Sequence, residues 1–232
     1  TSAGSFSTSA PAFVIGNGTN SLNKSDAFKV MFNGDAYVSS TLYVGGTAVT
    51  ATALSSATES GNTGARISTS NASNHGDIGS NAVDLSYSSS SSSTRGATGN
   101  NSIAMGSNTT ASGFASTASG NASTASGYAS TAMGLFTIAS GGFSTAMGEE
   151  TTASGNYSTA MGVYTTASGQ NSTAMGNWTS ASDFASVVIG QYNSSGSSAT
   201  SAGSFSTSNT AFVIGNGTNS SNKSDAFKVM FN

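Results

Sequence analysis

The sequence predicts an all-β fold, a parallel β-roll with coils of 14 residues, from three observations. Glycine recurs every seven residues from Gly99 to Gly190, except that Asp183 stands at one of the expected positions. An alanine stands two residues before each glycine, until Val188 takes its place. The residue between them alternates between an apolar residue, usually methionine, and serine, so the full repeat is STAMGxxTTASGxx.

A seven-residue period is also that of a coiled coil, whose helices need large apolar residues at two positions in seven. Here glycine takes one position in seven and serine or threonine takes two or three. That composition would cost on the order of several kcal/mol of helix propensity per repeat. The residues instead fit two five-residue strands per coil, joined by two-residue corners that follow a glycine able to turn.

Alternation along the strands puts the alanines between the two sheets and the methionines on the outside. A core of alanines stabilises a lone roll only a little, and a large exposed apolar stripe marks an interface. The pattern therefore predicts that partner chains pack on one apolar column, which contains Ile103, Met105, Met133, Met147, Met161, Met175, Val187 and Ile189.

The motifs NSIAMG, STAMG and SVVIG, at 14-residue spacing over residues 99–190, resemble the YadA-like head of trimeric autotransporter adhesins. The resemblance implies a left-handed parallel β-roll in an intertwined homotrimer around an apolar axis. It also implies a trimer core formed by Ile103, Met105, Met133, Met147, Met161, Met175 and Ile189. Such modules occur in bacterial surface adhesins and in related phage or viral fibres, where they bind and do not catalyse.

Residues 1–33 and 200–232 are two copies of one module at an offset of 199. They differ only where Ala10, Pro11 and Leu22 face Asn209, Thr210 and Ser221. Near-identity over this length predicts a tandem array, and the chain is expected to be part of a longer fibre of end-to-end copies. The triplet Val14-Ile15-Gly16 echoes Val188-Ile189-Gly190, so the module is expected to continue or cap the last coil.

Four regions are predicted: a β connector module at 1–49, a linker and N-terminal transition at 50–98, the roll at 99–190, and the second connector copy at 191–232. Residues 36–49 resemble a stretch of phage tail fibres, and 76–86 resemble the segment that precedes YadA-like heads and covers their first coil. Residues 50–64 predict either a short helix or a linker, since their apolar positions are too few to decide.

Composition excludes several functional classes. Charged residues make up 6%, the net charge is −3 and the six basic residues are scattered, so no nucleic-acid footprint is present. The absence of cysteine excludes disulfides and thiolate metal sites and is compatible with an extracellular fibre. No apolar run is long enough to span a membrane and no signal peptide is present, so no membrane contact is expected within these residues.

No catalytic, cofactor or metal site is predicted. His75 lies beside Asp77 in the sequence, and we interpret it as a loop histidine bonded to the backbone rather than an acid–base or metal residue. Glu149 and Glu150 are neighbours that point apart, which favours a charged rim. No nucleophile, phosphate-binding or metal-ligand motif occurs, and the carboxylate cluster that a polysaccharide-degrading tailspike needs is missing.

Aromatic residues at the corners are candidate ligand contacts. Phe136, Tyr164 and Trp178 take the second corner position after the methionine strand, and Phe143 and Tyr157 take it after the serine strand. Stacked aromatics at one edge of a solenoid could grip a glycan or a protein surface. The alternative is that they seal the crevice between neighbouring rolls of a trimer.

Hydroxyl groups form two predicted columns on the outer face of the serine strand, Thr110, Thr124, Thr152 and Thr166 beside Ser112, Ser126, Ser154 and Ser168. Regular threonine ladders are typical of ice-binding faces, although Ile138 interrupts this one. The alternative is a solvated sheet without a ligand.

The sequence therefore predicts a structural and adhesive repeat unit of a long trimeric extracellular fibre. Its partners would be copies of itself and a host or environmental surface protein or glycan, held by many weak contacts. The alternative is a segment of a phage or virus tail fibre that binds a receptor at the virion surface.

Overall fold

The structure is a computed structural model that describes residues 11–16, 26–31, 36–38, 42–44, 47–49 and 54–232. The chain divides into two compact units, residues 1–52 and 53–232, which are described separately. The predictions for the remaining residues of the first connector module lie outside the described part.

The first unit contains short antiparallel strands, as its alternating β-branched and aromatic residues predict. One sheet has the order β1-β2-β3, and a second pair is β4-β5. The strands are β1 (Pro11–Gly16), β2 (Asp26–Met31), β3 (Ala36–Val38), β4 (Leu42–Val44) and β5 (Thr47–Val49).

The second unit begins with a hairpin of β6 (Leu54–Glu59) and β7 (Asn62–Ile67). A helix or a linker was predicted over part of this segment, and both predictions are wrong for its described residues. Ser60 and Gly61 form the turn with φ of 49° and 83°, and the strands consist largely of serine, threonine and alanine. These small residues hide the alternation from a sequence pattern.

A 3-10 turn (Ala72–Asn74), β8 (Val83–Tyr87) and β9 (Gly96–Ala97) lead into the roll.

The roll alternates long and short strands. The long strands are β10 (Ile103–Ser107), β12 (Thr117–Asn121), β14 (Thr131–Leu135), β16 (Thr145–Glu149), β18 (Thr159–Val163), β20 (Thr173–Asn177) and β22 (Val187–Gln191). The short strands are β11 (Thr110–Ala111), β13 (Thr124–Ala125), β15 (Ile138–Ala139), β17 (Thr152–Ala153), β19 (Thr166–Ala167) and β21 (Ser180–Ala181).

Each strand pairs in parallel with the equivalent strand one coil later, for example Met133 with Met147 and Ala139 with Ala153. The predicted all-β roll of 14-residue coils is confirmed. The prediction of two five-residue strands per coil is wrong for the serine strand, which has two residues. Its ladder ends because Ser112 N–H and Gly113 N–H both donate to the Ala125 carbonyl, at 3.0 and 3.2 Å.

The interior of the roll holds more than the predicted alanines. The alanines of successive coils, from Ala97 to Ala181, are all fully buried. Two residues before each of them on the methionine strand, a serine such as Ser144 is buried too, and a threonine such as Thr151 is buried on the serine strand. Alternation along the strand accounts for both columns, because residues two apart share a face.

Glycine is required by the close approach of successive coils. Gly148 has φ of 118°, and a Cβ there would lie 2.0 Å from the Gly162 carbonyl oxygen. A Cβ at Gly169 would likewise lie 2.0 Å from the Asp183 carbonyl oxygen. A side chain at either position would therefore push two coils apart.

Both ends of the long-strand sheet are covered. β23 (Thr210–Asn216) pairs in parallel with β22, with Ile214 opposite Ile189, and β24 (Asp225–Met230) pairs antiparallel with β23. The matching Val-Ile-Gly triplets correctly predict that the second module continues the last coil. At the other end β8 pairs with β10, and Asp84 lies opposite Ala104.

Candidate binding surfaces

The corners of the roll hold their aromatic residues in the left-handed backbone region. All five predicted contact residues have φ between 52° and 59°, namely Phe136, Phe143, Tyr157, Tyr164 and Trp178. This conformation costs a residue with a Cβ about 1–2 kcal/mol. Hydrogen bonds between coils hold it, such as Tyr164 N–H to the Glu149 carbonyl at 2.9 Å and Trp178 N–H to the Val163 carbonyl at 2.8 Å.

Most of these aromatics form two stacked ladders. The first ladder is Phe114, Tyr128, Phe143 and Tyr157, with ring centroids 5.1–5.2 Å apart. The second ladder is Tyr164, Trp178 and Tyr192, with centroids 4.4 and 5.8 Å apart. The coil spacing therefore places ring against ring along each edge.

Tyr192 is not among the predicted contact residues, although it takes the same corner position after Gly190 as Trp178 takes after Gly176. Phe136 belongs to neither ladder, because Glu150 occupies the corner between it and Tyr164. The Tyr164 hydroxyl donates to Glu150 Oε1 at 3.1 Å. This hydrogen bond, and then the Glu150 charge, raise the pKa of Tyr164.

Stacking within the ladders changes what they can bind. A sugar ring packs on the open face of an aromatic ring, but here both faces of Trp178, and one face each of Tyr128 and Phe143, are covered by stacked rings. The exposed ring edges remain available for packing against a protein surface. The geometry thus favours contact with a protein over stacking of a glycan.

The apolar residues of the long strands lie on the outer face of the roll. Leu85, Met105, Ser119, Met133, Met147, Met161, Met175, Ile189 and Ile214 follow one another in register, and we call this set the methionine column. Met133 is 39% exposed and the other methionines of the column are half-buried.

Ile103 and Val187 were predicted in this column, and that detail is wrong. They share the face but lie in a parallel column with Thr117 and Thr173, because residues two apart on a strand stack on different neighbours. Ile103 is 38% exposed in the single chain.

The predicted threonine column is present. Thr110 lies opposite Thr124 and Thr152 opposite Thr166, with Ile138 between the two pairs. Only this column belongs to the short strands, since each short strand ends at the alanine before the serine. Ser112, Ser126 and Ser154 are exposed and Ser168 is half-buried. The hydroxyl surface is therefore narrower than the flat face that was predicted.

His75 belongs to a buried polar network at the N-terminal end of the roll. Its Nδ1 lies 3.2 Å from Asp84 Oδ2, so its partner is Asp84 rather than its sequence neighbour Asp77 or the expected backbone group. Arg66 Nε donates to Asp84 Oδ2 at 3.3 Å, and Arg66 Nη1 donates to Glu59 Oε1 at 2.6 Å. Asp77 instead accepts a hydrogen bond from the Ser60 hydroxyl.

Burial lowers the pKa of His75, and the nearby Asp84 carboxylate opposes that shift. Polar side chains that are buried in this way are satisfied by one another, which is typical of a cap. Two cavities of about 830 and 410 Å³ flank His75, and their walls consist mainly of serine and threonine. Within the described residues, no three His, Cys, Asp or Glu side chains come together as a metal site.

Asp183 caps the opposite end of the short-strand sheet. It is buried, and its Oδ2 accepts the Thr210 N–H at 2.8 Å while its Oδ1 accepts the Thr200 N–H at 2.6 Å. No further short strand follows β21 in its sheet, so a side chain fits where glycine is needed elsewhere. The one missing glycine of the seven-residue period was the sequence signal for this cap.

The profile of the YadA head domain repeat matches residues 97–113, 111–137, 139–165 and 167–193. Residues 97–193 form a YadA-like head. No curated protein matches the chain. Among the described residues, no helix has the length and apolar character of a membrane span.

The YadA-like head is an adhesin-like tandem repeat, and its family is structural rather than enzymatic. Members of the family assemble as trimers and are exposed at the surface. The methionine column and both aromatic ladders lie within or directly beside the matched residues. They are therefore the candidate surfaces of the YadA-like head for assembly and attachment.

Proposed function

We propose that this chain is a structural and adhesive repeat unit of a long trimeric extracellular fibre, which attaches to surfaces through many weak contacts. The observation that carries the proposal is the YadA-like head with an apolar column in register along its outer face. Three such faces around one axis would exclude water from the methionines and form the trimer core. Parallel strands along the head would make the fibre stiff.

The core proposed for the trimer is Ile103, Met105, Met133, Met147, Met161, Met175 and Ile189. The alanine interior supports this role, because alanine contributes little burial per residue to a lone roll. Methionine side chains are flexible and fill irregular gaps, which suits a contact between identical faces. The domain limits 1–49, 50–98, 99–190 and 191–232 are part of this proposal.

Attachment is proposed to reside at the corners. The two ladders present ring edges on the outside of the roll, and a protein surface fits them better than a sugar ring. The partner is accordingly a host or environmental surface protein, with glycans as the alternative. Individual contacts would be weak, and repetition along three chains would supply the avidity.

Beads that carry the purified full chain test this proposal on cultured epithelial cells and on a glycan array. Attachment should rise more steeply than the surface density of the chain, because several copies must bind together. The double variant Tyr164→Ser, Trp178→Ser should reduce attachment while the trimer persists, if the second ladder is a contact site. Ser126→Asp, at an exposed residue outside both ladders, is the control.

Two outcomes would count against parts of the proposal. Loss of the trimer in the double variant would assign the ladder to packing between rolls. Absence of attachment at every density, with the trimer intact, would contradict the adhesive role.

A phage or virus tail fibre is the second candidate, favoured by the likeness of residues 36–49 to tail-fibre stretches. Recovery of the native protein from purified virions would establish that alternative.

A further inference from the structure

The two connector modules contain the same hairpin. β1 and β2 pair Phe13 with Val30 and Ile15 with Phe28, and β23 and β24 repeat these pairs 199 residues later. The register shifts fall at equivalent positions in both copies. The described strands of the two modules therefore offer the same backbone for pairing.

Among the described residues, a coil packs along the outer edge of the second hairpin alone. β23 lies between β22 and β24, and Val213 is 0% exposed there. The equivalent Val14 in β1 is 40% exposed, and Ile15 is 51% exposed. β1 is the edge strand of its sheet, so its outer side among the described residues corresponds to the side of β23 that receives β22.

Hydrogen bonds from the start of the second module seal that junction. The Thr210 N–H donates to the buried Asp183 Oδ2 at 2.8 Å. The Asn209 side-chain amide donates to the carbonyls of Ser201 and Ser204, at 3.0 and 3.2 Å. The Thr210 bond ties the start of β23 to the last coil and pairs the carboxylate of Asp183, while the Asn209 bonds hold the loop before β23 in its conformation.

Two of the three sequence differences between the modules fall on these sealing positions. The first module has Ala10 where Asn209 stands and Pro11 where Thr210 stands. Alanine has no side-chain amide, and proline has no N–H to donate. A coil ending in a carboxylate at the place of Asp183 would leave one buried oxygen without this donor.

We propose that the outer edge of β1 receives the last coil of another YadA-like head of the same fibre, in the register of β22 on β23. We further infer that this coil carries no carboxylate at the position of Asp183. The proposal rests on the tandem fibre proposed above. An amide would suit the site better than a carboxylate, since its oxygen can accept the N–H equivalent to that of Thr200 and it places no unpaired negative charge beside the proline.

The two modules would thus pair with heads that differ at this position. Thr210 fits a coil that has aspartate at position 183, and Pro11 fits a coil that has no carboxylate there. Pairing by complementary and conflicting hydrogen-bond groups is a form of specificity that also rejects the wrong neighbour. The order of heads along a fibre would follow from these few positions.

Two extended chains test the docking edge directly. Both carry a second copy of residues 54–199 ahead of Thr1, and one of them has Asp183→Asn in that added copy only. Hydrogen exchange of the Val14 and Ile15 amides is compared with that of Val213 and Ile214 in the same molecule. In the asparagine version, β1 should approach the protection of β23, and it should exceed the aspartate version by about tenfold or more.

A double-mutant cycle in the full chain without the added copy tests whether the residue at position 183 has to match the residue at position 210. Asp183→Asn and Thr210→Pro should each lower the protection of β23, and the double variant should recover part of the loss. Pro11→Thr is the matched control and should leave β23 unchanged. Unchanged β1 protection in both extended chains would overturn the docking edge. Two results would overturn the proposal that Pro11 selects a coil without the carboxylate. One is an equal gain of β1 protection in both extended chains, and the other is an additive loss of β23 protection in the double-mutant cycle. None of these readouts depends on adhesion, so they fail separately from the proposed function.

Discussion

His75, Asp84, Arg66 and Glu59 share one buried network at the end of the roll, and its charge depends on pH. The pKa of His75 is lowered below its ordinary value of 6.5, chiefly by burial. The folded state therefore keeps the ring neutral at pH values where the unfolded chain binds a proton. The resulting stabilisation is complete above pH 6.5 and is lost as the pH falls through the folded-state pKa.

We expect the thermal unfolding midpoint to fall when the pH is lowered from about 7.5 to 5, because the unfolded chain gains a proton at His75 that the folded chain resists. His75→Gln is the matched variant and should lose most of this dependence. A midpoint of the original protein that stays level over this range would contradict the account. At more acidic pH, Asp225 should add a second loss.

Asp225 lies at the C-terminal end, where Ser194 N–H and Ser195 N–H donate to its carboxylate at 2.8 and 2.9 Å. Burial raises the pKa of Asp225, but hydrogen bonds from Ser195 and Ser194 outweigh that effect and hold the pKa below its usual value of 3.8. Its stabilisation is therefore present above pH 3.8 and is lost as the pH falls through the lower folded-state value.

Residue partners were the least predictable part of the site. The sequence places His75 beside Asp77, but Asp84 reaches it only because β8 joins the sheet and turns that side chain inward. In the sequence, Asp183 only interrupts the glycine period. Its capping role depends on a hydrogen bond from Thr210, which is 27 residues away. Long-range hydrogen bonds of this kind leave no local pattern.

The single coil is the element on which the fold depends. Ala146 is fully buried between the two sheets, and the flanking coils place Ala132 and Ala160 directly beside it. Among the described residues, larger apolar side chains are buried only towards the two ends of the roll, as Ile78, Val188 and Val213. The spacing of the sheets in the middle coils is therefore set by alanine.

Ala146→Ile should destabilise the fold by about 1–3 kcal/mol or more, because the added methylenes have no space between the sheets. Thr145→Ile is the control, since it places the same isoleucine side chain at the neighbouring residue, which lies on the outer face. Denaturant unfolding of the two variants measures the difference. Equal stability of the two variants would show that the interior has room, contrary to the packing described here.

At this scale the sequence predicts most of the fold. The period of 14, the parallel register and the inward alanines follow from spacing and alternation alone. The two-residue short strand and the β6–β7 hairpin do not. Their limits depend on shared hydrogen bonds such as those to the Ala125 carbonyl, and on strands of small residues without an apolar alternation.

At the scale of the whole molecule, we propose that the methionine column forms the apolar core between the chains of a trimer. The column runs from Leu85 to Ile214 without a break in register, so it crosses from the N-terminal cap into the second module. A face of this length would join head and connector in one continuous contact. The proposed trimer would bury the apolar column that a lone chain leaves exposed to water.

The mass of the full chain in solution, by native mass spectrometry or light scattering, tests this claim most directly. We expect a stable trimer, and we expect Met147→Asp to yield monomers, whereas Ser126→Asp, at the exposed residue that follows the short strand β13, should leave the trimer intact. A well-folded monomer of the original chain would contradict the claim. The methionine column would then be an exposed surface, and the threonine column would become the stronger candidate for a working face.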